Sequence, residues 1–155
     1  MDPTGVDATN WRVIVWGALA GLSVIVPVTV VRAVLDRQVT DMNQSGWVYP
    51  LFVLILAAYV VAGWVAGSGA PRAPLTHGAL AGLGAVVLWV PIRIVIWAVR
   101  EQGRGLVSGD RAALPPGQVF GALVISVGLG MLGGVLGARA RRRADDVTAS
   151  RSAPG

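Results

Sequence analysis

Four apolar runs decide what this chain can fold into. They lie at about residues 11–34, 48–66, 76–99 and 117–138, and the only charged residues inside them are Arg12, Arg32 and Arg93. Roughly 20 apolar residues suffice to cross a bilayer as a helix, and each run meets that length. Composition agrees: 54% of the residues are hydrophobic and 14% charged, too little charge to cover the surface of a water-soluble domain. The fold class expected is all-α, a polytopic membrane protein with a four-helix transmembrane bundle.

The segments between the runs organise the rest. Residues 1–10 form a short polar N-terminal tail, and the first run reads as an anchor because the residues before it are acidic and it exceeds a signal peptide's apolar core. Residues 36–46 are a polar loop ending at Trp47 and Tyr49, side chains suited to the lipid–water boundary. Residues 67–74 form a tight glycine- and proline-rich connector, and residues 100–116 the longest loop. Residues 139–155 read as a basic and then disordered C-terminal tail. The membrane domain is therefore 11–138.

Charge and absent residue types exclude several functions. The net charge is +5, but the one dense basic cluster is Arg139, Arg141, Arg142 and Arg143, directly after the last run. A cluster placed there meets anionic lipid head groups on the cytoplasmic side, not nucleic acid. Four spans put both termini on one side, and this cluster makes that side the cytoplasm of a bacterial inner membrane. Every basic side chain is arginine, which we read as the composition bias of a GC-rich bacterial genome. Cysteine is absent, which removes disulfides, thiolate metal sites and cysteine nucleophiles.

The chain also repeats itself. Gly17–Leu22 and Gly78–Leu83 both read GALAGL, and the same offset of 61 carries Arg32 onto Arg93. Gly63 and Gly67 near the end of the second run match Gly133 and Gly137 near the end of the fourth. The pattern is that of a tandem repeat of two helical hairpins, related by a twofold axis along the membrane normal. Glycines four apart share a helix face and let backbones approach. Gly17, Gly21, Gly63, Gly67, Gly78, Gly82, Gly133 and Gly137 are accordingly the expected helix-packing residues, all in the half nearer the termini. The other half contains Pro27, Pro91, Trp89, Trp97, Arg32 and Arg93. Each proline removes a helical hydrogen bond, at the Ser23 and Val87 carbonyls respectively. The expected shape is closed near the termini and wider at the opposite end.

Arg93 and Arg32 are the candidate anion or partner site. A charge at the bilayer centre costs about 2.5–3.5 kcal/mol, less toward the interface, so a buried arginine implies a carboxylate, phosphate or lipid head group. The alternative is that both snorkel outward and only anchor their helices. Asp36 and Glu101 are the local counter-charges. His77 is the single histidine, placed at the start of the third run beside Thr76. A metal site needs at least three ligands, and none accompany it in sequence. Ser23, Thr29 and Ser126 have no base partner for nucleophilic catalysis, and the glycines at 128–134 lie in an apolar helix with no lysine following, unlike a phosphate loop. Neither catalytic residues nor a cofactor are expected.

The central stretch Tyr59–Gly67, the Arg/Pro connector, and His77–Leu83 resemble small four-span bacterial membrane proteins of uncharacterised activity that carry an AGxxAG…HGALxGL hairpin. The resemblance implies a four-helix inner-membrane protein and supplies no catalytic residues. The functional expectation is a non-enzymatic structural or interaction subunit that binds a membrane-protein partner or a second copy of itself within the lipid bilayer. The alternative is a small oligomeric transporter or channel using the bent, arginine-containing half.

Overall fold

A computed structural model describes residues 10–38, 46–70, 72–100 and 116–152, except for the side chains at 36–38, 97, 99, 100, 151 and 152. Four helices account for these residues: α1 (Trp11–Gln38), α2 (Val48–Gly69), α3 (Pro74–Arg100) and α4 (Pro116–Ser152). All four are long and apolar enough to cross a membrane. The chain is a multi-pass, all-helical membrane protein.

Toward the termini side, small residues dominate the faces that α2 and α3 bury. On α2 the buried residues include Ala58, Ala62, Gly63, Ala66 and Gly67, while Phe52, Val53, Leu54, Val61 and Trp64 are exposed. Lipid tails are as apolar as leucine, so burying a large side chain between helices gains little over leaving it in lipid. Small residues gain close backbone approach and the dispersion that comes with it. The same division runs through α3, where Ala81 and Ala85 are fully buried and Val87 and Leu88 face outward.

The helices run up and down in turn, which puts the starts of α1 and α3 and the end of α2 on one side, here the termini side. The opposite end is the loop side. α2 and α3 sit together in the middle of the arrangement, and each touches both α1 and α4; among the described residues the Cα atoms of α1 and α4 stay more than 8 Å apart. A twofold relation between the hairpins pairs the α2–α3 contact with an α1–α4 contact, so the packing departs from the symmetry that the repeated sequence implies. The cause is the short connector at residues 70–73, which forces α2 beside α3 and has no counterpart tying α1 to α4.

Four helix ends differ from the sequence reading, the first being that of α1, which continues beyond residue 34 into the expected loop as far as Gln38. α2 continues past Gly67 to Gly69, where the Ala70 N–H donates to the Gly67 carbonyl at 3.3 Å. Pro74 opens α3 instead of closing the connector, because the first helical position has no N–H to lose. The largest difference is α4: residues after Arg143, expected to be disordered, continue the helix to Ser152. A helix already nucleated in the membrane extends without a new nucleation cost. Asp145 and Asp146 follow Arg142 at the three- and four-residue spacing that places opposite charges on one face. Arg141 adds a tie to the bundle, donating to the Ser68 carbonyl at the end of α2 at 3.2 Å, where a cation also faces the negative end of the helix dipole. Arg139, Arg142 and Arg143 are exposed on the same extension.

Candidate functional site

From the termini side to the loop side the bundle has three layers. The first is made of glycine and alanine. On α1, Gly17 and Gly21 lie against Ala58, Ala62 and Ala66 of α2 and Ala81 and Ala85 of α3; a methyl added at Gly17 would stand 2.6 Å from the Ala62 carbonyl oxygen. On α4, Gly130 and Gly134 meet both central helices. Methyls at Gly63 and Gly67 would strike the backbones of Gly130 and Gly134, and methyls at Gly78 and Gly82 those of Gly130 and Ser126. Gly133 and Gly137 meet α2 at Val60 and Trp64. All eight glycines named from the sequence therefore sit at backbone-to-backbone or backbone-to-alanine contacts. The reading missed Gly130 and Gly134, which share the α4 face with them. Their own four-residue spacing was the available signal.

His77 closes this layer at its end. It is buried, and its Nδ1 lies 2.9 Å from the Ala73 carbonyl, so that nitrogen carries the proton; Nε2 then accepts the Asn10 backbone N–H at 3.2 Å. A neutral imidazole thus ties the start of α1 to the start of α3 and satisfies one of the open N–H groups near a helix N-terminus. This is a structural position. No group of three or more His, Asp or Glu side chains able to hold a metal is found among the described residues.

The second layer is an apolar plug of Ile25, Ala58, Tyr59, Ala85 and Val86, flanked by Trp89, Leu123 and Leu129. Ser126 is fully buried beside it and donates to its own helix at Leu123. Hydroxyls in the spans behave alike: Ser23 donates to Ala20 and Thr29 to Ile25. None is paired with a base.

Above the plug the helices stop closing on one another. A cavity of about 300 Å³ opens on the loop side, lined from all four helices. Arg32 of α1 and Arg93 of α3 both line it, with Thr29, Tyr59, Trp89 and Gln118. Arg93 is half-buried, and its guanidinium carbon lies 5.1 Å from the centre of the Trp89 ring, within the range of a cation–π attraction. Arg32 is exposed. Arg93 precedes the end of α3 at Arg100 by seven residues, about 10 Å at helical rise. Arg32 precedes the end of α1 at Gln38 by six, about 9 Å. Counted along their helices, the two residues are at similar distances from the loop-side helix ends. Of the counter-charges expected from sequence, Glu101 and the Asp36 side chain lie outside the described residues.

Chemically, this arrangement presents guanidinium donors to an enclosed space. Guanidinium donors match phosphate and carboxylate oxygens two at a time. Apart from Thr29, Tyr59 and Gln118 the surrounding wall is apolar, which strengthens such a contact over one in water. No protein-family model, curated protein or solved structure matches this chain.

Proposed function

We propose that the protein is a non-catalytic interaction protein of the bacterial cytoplasmic membrane, which binds a membrane partner through an anionic group held between Arg32 and Arg93. One observation supports this above the others: two arginines from different helices, 61 residues apart, line a single cavity. Arginines that only anchored their helices would have no reason to share a cavity. The same reading puts both termini in the cytoplasm, with Arg139, Arg141, Arg142 and Arg143 facing its anionic lipid surface.

Transport is the second reading, and the one-sided cavity is what favours it. The glycine layer and the apolar plug weigh against it, because they leave the other half without a polar path. Substituting Arg93 tests the proposal. Under it, Arg93→Lys retains charge but loses the planar fork, and partner retention in gentle lipid extraction falls; Arg93→Leu abolishes it. If Arg93→Lys, Arg93→Leu and Arg32→Leu all match the parent in thermal stability and in what co-purifies, the arginines are anchors and the proposal is wrong.

A further inference from the structure

We infer that the loop-side cavity seats the ring of an uncharged, lipid-soluble carbonyl compound of the isoprenoid-quinone class, with one carbonyl oxygen accepting from the Tyr59 hydroxyl. The inference goes beyond the anion-binding reading and uses neither arginine. It starts from a polar atom without a partner. Tyr59 is 6% exposed and lines the cavity, yet its hydroxyl makes no hydrogen bond among the described residues. Every described side-chain nitrogen or oxygen that the bundle seals off does have a partner. The Tyr59 hydroxyl is therefore not sealed off, and the space it reaches is the cavity. The other hydroxyl on the wall is already committed: Thr29 donates to the Ile25 carbonyl at 2.8 Å.

Depth decides what kind of molecule can answer that donor. Tyr59 stands at the middle of the Val48–Gly69 span. A helical side chain tilts toward the N-terminus of its helix, which for α2 is the loop side, so the ring leans from mid-span up into the cavity. A polar group left unsatisfied in the hydrocarbon region is costly, and an acceptor that enters there removes the cost. Phospholipids hold their carbonyls at the boundary of that region, above this level. A quinone carries its carbonyl oxygens on an uncharged ring that dissolves within it. The wall suits such a ring. Trp89 packs against the plug to which Tyr59 belongs, both line the cavity, and no Asp or Glu is among the lining residues to repel a carbonyl oxygen. Ligand pockets are built in this way, apolar with a few polar groups that fix orientation, and span roughly 300–1,000 Å³. At about 300 Å³, this one has room for a ring and the start of its chain.

The test uses the full-length protein in dodecylmaltoside, with thermal unfolding and native mass spectrometry as readouts. The probes are decylubiquinone and decylbenzene, which share a six-membered ring and a ten-carbon chain, whereas only the first has carbonyl acceptors. Decylubiquinone is expected to raise Tm and to give a one-to-one adduct, with decylbenzene severalfold weaker. Tyr59→Phe removes the hydroxyl and keeps the ring. Its Tm without ligand should match the parent, because no hydrogen bond within the protein is lost. Its affinity for decylubiquinone should fall about three- to tenfold, as expected for one hydrogen bond, with decylbenzene unaffected. If the two probes bind the parent alike, or Tyr59→Phe binds decylubiquinone as the parent does, water alone serves the hydroxyl and the inference is overturned. A lower Tm for ligand-free Tyr59→Phe would show that the hydroxyl already has a partner in the protein, and overturns it equally. None of these outcomes bears on the anion site, which the arginine substitutions test separately.

Discussion

Adding one methyl group at Gly63 should destabilise the bundle, and adding the same methyl at Gly128 should stabilise it. At Gly63 the new carbon would overlap the Gly130 carbonyl oxygen and stand 2.7 Å from its carbonyl carbon; at Gly128 nothing lies within 4 Å. Backbone cannot rotate away as a side chain can. Ordinary contact begins near 3.4 Å, so α2 and α4 must part by about 0.7 Å or more, and a gap of that order forfeits roughly a quarter to a half of each dispersion contact along the seam. Overpacking of this kind costs about 1–3 kcal/mol. Gly128→Ala meets no such resistance and gains up to about 1 kcal/mol of helix propensity. The same propensity gain acts at Gly63, so the two variants should differ by the overpacking cost alone, about 1–3 kcal/mol, with Gly63→Ala the less stable. Unfolding in mixed micelles with increasing sodium dodecyl sulfate measures both. Equal effects, or stabilisation by both, would show that α2 and α4 do not touch backbone to backbone and would remove the basis for a closed layer.

Two further outcomes follow from the termini side. His77→Ala removes the acceptor for the Asn10 N–H and leaves that donor and a buried gap, so stability should fall by about 1–3 kcal/mol; hydrogen exchange at Asn10 should quicken in the same variant, and an unchanged rate would mean the link is not made in solution. Reporter fusions after Arg72 and after Ser152 should read cytoplasmic, while fusions within residues 41–46 or 105–109 should read external; a swap of the two groups would invert the proposed orientation.

The helices were legible in the sequence because hydropathy alone decides what enters lipid. Their ends were less so. Nothing in the composition of residues 144–152 distinguishes a disordered tail from the continuation of a helix nucleated upstream, and the exposed α4 extension depends on that continuity. Gly130 and Gly134 escaped notice because α4 has two overlapping glycine pairs, and spacing does not say which pair meets which helix. The repeat of Gly17–Leu22 in Gly78–Leu83 singled out Arg32 and Arg93 together, and both line the same cavity. Yet the repeat also implied an α1–α4 contact that the short α2–α3 connector leaves without a counterpart. Tyr59 and Gln118 could not be placed at the site beforehand. They join it only because four helices converge, and no local pattern encodes that convergence.

The account depends on a cavity that opens on the loop side above a closed layer, and the cysteine-free sequence allows this to be measured without first removing native thiols. Single cysteines at Ala122, on the cavity wall, and at Ala62, in the glycine–alanine layer, are probed in sealed vesicles with a charged, membrane-impermeant thiol reagent. Ala122→Cys should be labelled from the loop side only, protected by whatever occupies the cavity, and Ala62→Cys should be labelled from neither side. Labelling of Ala62→Cys from either side, or of Ala122→Cys from the termini side, would mean that water passes the layer and that the one-sided binding cavity does not exist.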